Sequence, residues 1–167
     1  MREIVVVAHN LRSCHNIGSL LRTAEGLGIV RVYLTGYTPY PLAKDDTRLP
    51  HVSTKVAKQI HKTALGAENT QTWEYREDVQ GVIADLQEKG FLLAAIEQAP
   101  DSIPLQTFRA PQKTALFLGR EVEGIEPDIL RILDVVLEIP MYGEKESFNV
   151  VQAAAMGLYQ CRFMSMT

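Results

Sequence analysis

The chain alternates short apolar runs with longer amphipathic segments, and this alternation constrains its fold more than any other feature. The apolar runs are too short for helices, so each predicts a buried strand. Strands are predicted in this way at residues 3–8, 30–34, 72–75, 91–96, 114–118 and 135–139. Helices are predicted between and after them at 16–27, 51–65, 78–89, from 126 onward, and at 147–163. The βα alternation predicts an α/β fold, a parallel sheet with helices on both faces, in a single domain over residues 1–167.

Two of these helices begin with a residue type that commonly caps a helix. Asn16 precedes the apolar positions of one helix, and Ser147 precedes those of the last helix. Side chains of both types accept hydrogen bonds from the free N–H groups of a first helical turn. We therefore expect Asn16 and Ser147 to be the N-caps.

Composition limits the class of protein. Hydrophobic residues make up 46% of the chain and charged residues 22%, as in ordinary globular domains. The net charge of −3 argues against a protein that coats nucleic acid by charge alone. The longest apolar runs, 4–8 and 153–159, are far shorter than the roughly 20 residues of a membrane span. The two cysteines, Cys14 and Cys161, are far apart in sequence, which fits a reducing compartment better than a disulfide framework. We expect a cytoplasmic protein without membrane contact.

The common cofactor fingerprints are missing from the sequence. The only G-x-G, at residues 26–28, follows a predicted helix rather than a strand, which disfavours a dinucleotide-binding loop. Neither C-x-x-C nor H-x-x-x-H occurs, so we expect no metal site.

Polar segments that contain glycine follow three of the predicted strands. They read HNIGSLLRTA at 15–24, LGREVEGI at 118–125 and IPMYGEKESFNVVQAAA at 139–155. The carboxyl ends of parallel strands lie along one edge of a sheet, so we expect these segments to meet there. Each segment alone is also consistent with an ordinary turn and helix cap.

Taken together and in this order, the three segments resemble the SpoU/TrmH family of RNA ribose 2′-O-methyltransferases, which belong to the SPOUT class. KTALGAE at 62–68 resembles the family's middle region more weakly. The third motif departs from the family, where Ser-Leu-Asn-Val-Ser is common, because SFNVV at 147–151 lacks the second hydroxyl. The resemblance implies a C-terminal trefoil knot, at about residues 114–163, and a homodimer whose RNA sites are completed across the interface.

The activity that the resemblance implies is transfer of a methyl group from S-adenosyl-L-methionine to a ribose 2′-hydroxyl of RNA. We expect transfer RNA rather than ribosomal RNA as the substrate, because the chain is close to the family's bare catalytic core. Two alternatives remain open: methylation of ribosomal RNA, and an RNA-binding module of the same fold with little catalytic activity.

The resemblance also assigns site residues. Seven are expected to bind the cofactor, through apolar walls and backbone groups at strand ends: Ile96, Leu118, Gly119, Ile139, Met141, Ser147 and Phe148. Five match the family's catalytic centre: Asn16, Arg22, Glu121, Ser147 and Asn149.

Arg22 matches an arginine that is often assigned as the proton acceptor. A guanidinium rarely gives up its proton in a protein, so we expect Arg22 to bind a substrate phosphate and orient the hydroxyl. A phosphate oxygen or Glu121 would then accept the proton. Alternatively, Glu121 has a structural role and stabilises the loop or the partner subunit.

One region carries positive charge only. Residues 48–67 contain no acidic side chain, whereas the rest of the chain has thirteen basic and twenty acidic residues. On the predicted helix the lysines and His51 share one face, and positions 52, 56 and 60 are expected on the opposite, buried face. A solvated face is the ordinary explanation, but a stripe of one sign on an acidic protein also fits RNA contact. We predict RNA contacts from Arg22 and from four residues of this region: Arg48, Lys55, Lys58 and Lys62.

Overall fold

The computed structural model describes residues 2–164. The strands in this range are β1 (Glu3–His9), β2 (Arg31–Thr35), β3 (Trp73–Arg76), β4 (Leu92–Ile96), β5 (Ile103–Pro104), β6 (Lys113–Leu118) and β7 (Val135–Glu138). The α-helices are α1 (Cys14–Gly26), α2 (Pro50–Ala64), α3 (Ala67–Thr70), α4 (Val79–Glu88), α5 (Pro127–Leu130) and α6 (Val150–Phe163). Among the residues described, no helix has both the length and the apolar character needed to cross a membrane.

All pairings in the sheet are parallel, and the strand order is β3-β2-β1-β6-β4-β7-β5. β1 lies at the point where the order reverses, because β2 and β3 extend to one side of it and the later strands to the other. Binding sites of open α/β sheets form beyond the carboxyl ends of strands at such a point. The topology therefore places the loops after β1, β4, β6 and β7 near one another.

Alternate side chains of the central strands pack on opposite faces of the sheet. Ile4, Val6 and Ala8 belong to one core with α1, α2 and α6, whereas Val5 and Val7 belong to a second core with α4 and α5. Ile4 to Ala8 are at most 3% exposed, which explains the unbroken apolar run of β1. The predicted parallel sheet with helices on both faces is confirmed.

The predicted helix caps are wrong at two positions. α1 begins at Cys14, and the Ser13 side chain accepts the N–H of Asn16 at 3.2 Å. α6 begins at Val150, and Asn149 is the cap, accepting the N–H of Val151 at 2.9 Å. In both places two good capping residues lie close together in sequence, so the choice between them depends on where the loop meets its neighbours.

Some short elements were not predicted. The segment between the strands predicted at 91–96 and 114–118 contains β5, which pairs with β7 and forms the edge of the sheet, and a 3₁₀ helix at Leu105–Thr107. α3 follows α2 directly after Leu65 and Gly66, both with positive φ. Val52 is 40% exposed rather than buried, and the inner face of α2 is formed by Ser53, Ile60 and Ala64.

Candidate active site

A cavity of about 270 Å³ opens beyond the carboxyl ends of β4, β6 and β7. It is bounded by the loops at 119–124 and 139–148 and by the start of α6. All seven residues expected to bind the cofactor line it: Ile96, Leu118, Gly119, Ile139, Met141, Ser147 and Phe148. The structure thus brings together residues that lie up to 52 positions apart in sequence.

The loop after β6 is held in a tight turn. Arg120 and Gly124 exchange backbone hydrogen bonds of 3.2 and 3.1 Å, and Glu97 Oε1 accepts the N–H of Ile125 at 2.9 Å. A Cβ on Gly119 would lie 2.5 Å from the Ile125 nitrogen and 2.6 Å from the Gly124 carbonyl carbon. Gly119 is therefore required by the close approach of its own loop.

A chain of hydrogen bonds links α1, this loop and α6 at the edge of the cavity. The Glu121 carboxylate accepts the Nδ2–H of Asn16 at 3.3 Å and the backbone N–H groups of Arg12 and Ser13 at 3.3 to 3.4 Å. Asn149 Nδ2 donates to Asn16 Oδ1 at 3.3 Å. Three predicted catalytic residues thus hold one another, and Ser147 lines the same cavity.

The cavity wall is rich in carboxylates. Among residues 2–164, one arginine, Arg120, lines it together with four glutamates: Glu97, Glu121, Glu123 and Glu146. With apolar side chains between the charges, this wall favours a ligand that combines an apolar ring system with positive charge.

Among residues 2–164, Arg22 is the one predicted catalytic residue that belongs neither to the cavity wall nor to the hydrogen-bonded chain at its edge. Its side chain is exposed on α1 and lines neither the cavity nor the neighbouring one beside Asn16. Within residues 2–164, it forms no hydrogen bond or ion pair. The reason is helical geometry, because six residues separate Arg22 from Asn16 and turn the two side chains about 120° apart.

Arg48 is engaged inside the loop between β2 and α2, so its predicted RNA contact is not supported. Its guanidinium pairs with Asp46 at 2.5 Å and donates to the carbonyls of Tyr40 and Pro41 at 2.9 Å. It also lies 3.6 Å from the centroid of the Tyr40 ring. The Arg48 hydrogen bond holds the pKa of the Asp46 carboxyl well below its usual range. By contrast, Lys55, Lys58 and Lys62 are exposed on α2.

A buried polar network behind the cavity was not predicted. His9 is 7% exposed, and its Nδ1 lies 2.8 Å from Thr35 Oγ1. Its Nε2 accepts a hydrogen bond from Asn10 Nδ2 at 3.0 Å. Asn10 Nδ2 also donates to Glu126 Oε1 at 3.0 Å. Burial lowers the pKa of His9, although the Glu126 carboxylate opposes the effect. A histidine and an asparagine after a buried strand are the only sequence signal for this network.

The chain is similar to a family of RNA methylases and to individual RNA 2′-O-methyltransferases. Residues 3–159 match the model of the SpoU rRNA Methylase family. The chain is 26% identical over 164 residues to a tRNA (guanosine(18)-2′-O)-methyltransferase of Aquifex aeolicus, covering 96% of this chain and 69% of that protein. It is 25% identical over 159 residues to a 23S rRNA (guanosine-2′-O-)-methyltransferase of Neisseria meningitidis, covering 95% of this chain and 58% of that protein.

A solved structure with the same fold is that of an AdoMet-bound rRNA methyltransferase from Sinorhizobium meliloti. The TM-score is 0.80 at 20% sequence identity, and the match covers 97% of this chain and 57% of the other. At this identity the likeness establishes the fold alone. The chain spans between 57% and 69% of the length of these three proteins.

Proposed function

The chain belongs to the SpoU rRNA methylase family, as its three strand-end motifs predicted, and we propose that it transfers a methyl group from S-adenosylmethionine to a ribose 2′-hydroxyl of transfer RNA. The observation that carries the proposal is the convergence of the seven expected cofactor residues on one cavity. The hydrogen-bonded chain of Asn16, Glu121 and Asn149 lies at the edge of that cavity.

The residues of the cavity fit this cofactor. Phe148, Ile139 and Met141 offer apolar surface to the adenine, and the strand-end backbone offers hydrogen-bonding groups. The glutamates of the wall favour the positive charges of the sulfonium and amino groups. When bound, S-adenosylmethionine supplies an electrophilic methyl group.

The polar chain supports a role in holding the substrate nucleotide. Ser147 and Asn149 are exposed beside the cavity, and Asn16 lies in the first turn of α1, where N–H groups favour a phosphate. In the transfer the 2′-oxygen would form a bond to the methyl carbon as the bond from that carbon to the donor's sulfur breaks, leaving a neutral thioether, and the 2′-oxygen would lose its proton. We assign the acceptor to a substrate phosphate oxygen, because the oxygens of Glu121 already accept three structural donors. Glu121 is then a residue that braces α1 against the loop after β6.

A homodimer through α6 is part of the proposal. Val151, Ala155, Tyr159 and Phe163 follow one another at four-residue spacing on this helix. The last two are 55% and 57% exposed, and their rings lie 4.6 Å apart. Val151 stands where the family commonly has a serine, so the substitution extends this apolar stripe. A two-fold dimer would bury the stripe and bring Arg22 of one subunit to the site of its partner. The C-terminal trefoil knot also belongs to this proposal.

The substrate assignment favours transfer RNA because the relative from Aquifex aeolicus, which the chain covers more fully, acts on transfer RNA by its name. We propose that the lysine stripe of α2, defined as Lys55, Lys58 and Lys62, binds the RNA backbone. Methylation of ribosomal RNA alone would contradict the substrate assignment and leave the enzyme assignment intact.

Isothermal titration calorimetry with S-adenosylmethionine tests the cofactor site. We expect the wild-type protein to bind it and Phe148→Ala to bind it about tenfold more weakly, because removal of the ring takes away about 1.4 kcal/mol of apolar burial. Phe148 is 40% exposed, so the substitution should leave the fold intact. Absence of binding by the wild-type protein, with and without RNA, would contradict the proposal.

A further inference from the structure

An exposed aromatic ring and an exposed arginine lie together, and the arginine lines a cavity that adjoins the candidate active site. Tyr37 belongs to the loop after β2 and is 52% exposed, and Arg12 belongs to the loop after β1, with 70% of its side chain exposed. The Arg12 guanidinium carbon lies 5.8 Å from the centroid of the Tyr37 ring. Within residues 2–164, no other aromatic ring packs on Tyr37.

The backbone holds this pair in place by an unusual arrangement. Asn10 adopts a left-handed conformation with φ 57°, which is uncommon for a residue other than glycine, and its Oδ1 accepts the Tyr37 N–H at 3.1 Å. Gly36 has φ 65°, and a Cβ there would overlap Asn10 Oδ1. Two loop tips are therefore joined at Asn10, and the join presents the Tyr37 ring to solvent. Asparagine adopts the left-handed conformation more readily than other residues with a Cβ, so Asn10 suits this join.

Arg12 connects the ring to the chemistry of the site. Its backbone N–H donates to Glu121, which also accepts from Asn16. A second cavity, of about 350 Å³, is lined by Arg12, Asn16 and Glu121 together with Ser13, Val122 and Glu123. The last two, like Glu121, also line the cofactor cavity, so the two cavities adjoin. Glu123 lies 3.7 Å from the Arg12 guanidinium and steadies it.

We propose that Tyr37 and Arg12 form a stacking platform for a base of the substrate RNA at the entrance to the active site. This inference rests on the proposed function. A ribose hydroxyl can reach a cavity in the protein only when its nucleotide is drawn away from its neighbours, and the unstacked base then needs another surface. An aromatic ring replaces the lost stacking for any base, and the guanidinium adds a planar cation beside it. Tyr37 and Arg12 position the nucleotide, and they take no part in bond making.

RNA binding and methyl transfer by Tyr37 variants test the platform. We expect Tyr37→Ala and Tyr37→Leu to weaken RNA binding about 5- to 150-fold, since both remove the ring, and Tyr37→Phe to keep most of the affinity. Arg12→Gln keeps the backbone hydrogen bond to Glu121, and it should weaken RNA binding less than Tyr37→Ala does. Affinity for S-adenosylmethionine should not change in any of them. With 2-aminopurine as the base of the methylated nucleotide, the fluorescence of the complex should be lower with wild-type protein, where the ring of Tyr37 stacks on the base, than with Tyr37→Ala, where the unstacked base has no ring to stack on.

The outcomes separate this inference from the proposed function. Equal RNA affinity for wild type, Tyr37→Ala and Tyr37→Leu would overturn the platform while leaving methyl transfer intact. A wild-type protein that binds RNA but transfers no methyl group would overturn the proposed function, whatever Tyr37 does. Leucine as effective as phenylalanine at position 37 would also overturn the inference, because a nonspecific apolar contact would then suffice.

Discussion

Single residues at the candidate active site hold one another in place. Asn149 caps α6 with its oxygen and donates its amide N–H to Asn16, so the start of α6 and the start of α1 are joined by one side chain. The resemblance of their motifs to the family predicted Asn16, Glu121 and Asn149 as site residues, and the structure brings these three side chains together. Sequence reasoning could not identify Ser13 as the cap of α1 or the internal use of Arg48, because both depend on contacts that the loops make after folding.

His9 gives a pH-dependent prediction at this scale. Its pKa is lowered in the folded protein by burial, whereas in the unfolded chain it is near the ordinary value of about 6.5. As the pH falls through 6.5, the unfolded state binds a proton before the folded state does, so stability should be highest above this pH and fall below it. The charged groups facing His9 are Glu126 and Arg120. The pKa of Glu126 is also lowered, so it affects stability only in more acidic solution.

NMR titration of the His9 ring and urea unfolding at pH 7.5 and 5.5 check this prediction. His9 should titrate below 6.5, and the loss of stability between the two pH values should be smaller in His9→Gln. A His9 that titrates at or above 6.5 would show that burial does not control it.

The contact between α1 and α2 is a feature of whole elements. Gly18 of α1 faces the backbone of α2, and a Cβ there would overlap the carbonyl oxygen of Ile60 and the side chain of Thr63. We expect Gly18→Ala to lower the free energy of unfolding by about 1–3 kcal/mol, because the helices must separate.

Gly26, in the last turn of the same helix, has open space around its Cβ position and is the matched control. Gly26→Ala should leave stability unchanged or raise it by up to about 1 kcal/mol. Urea denaturation that finds equal stability for the two variants would contradict this packing.

The lysine stripe is a feature of one face of the helix α2. Replacement of Lys55, Lys58 and Lys62 by Gln should weaken binding to cognate and non-cognate RNA alike, because phosphate contacts do not read sequence. The dependence of log affinity on log salt should flatten by about 0.7 to 0.9 for each phosphate that the variant no longer neutralises. A charge-matched control is the triple replacement of Lys89, Lys113 and Arg131, which lie at or near the amino-terminal ends of β4, β6 and β7, away from the site. If the RNA affinity of the two triple variants depends equally on salt, the lysine stripe is only a solvated face and does not bind the RNA backbone.

At the scale of the whole molecule, the α/β class and most helices and strands could be predicted from the period of the apolar residues. The strand order could not, because the insertion of β6 between β1 and β4 depends on contacts far apart in sequence. The two-residue β5 was missed because it contains proline and carries no apolar alternation. Six of the seven expected cofactor residues could be named only through the motifs after β6 and β7, and the seventh, Ile96, ends β4.

Assembly gives a prediction about Arg22. If Arg22 acts in the partner's site, Arg22→Ala and Asn149→Ala should each lower turnover by at least about 10², since positioning of the hydroxyl is lost. When the two inactive proteins are mixed and allowed to exchange subunits, one site of each mixed dimer has neither defect, so activity should return to up to about a quarter of wild type. Light scattering should find a dimer. A mass near 18.7 kDa, or a mixture with no activity, would contradict action across the interface.

The central claim is that this cavity holds the methyl donor for RNA ribose methylation. The most direct test incubates the purified protein with S-adenosylmethionine carrying a labelled methyl group and with unmodified transfer RNA or ribosomal RNA, and then maps 2′-O-methylated nucleotides. The account predicts label at a ribose of transfer RNA, strongly reduced by Asn149→Ala. Labelled RNA without any 2′-O-methylated ribose, or no transfer to either RNA by a protein that binds the donor, would contradict it.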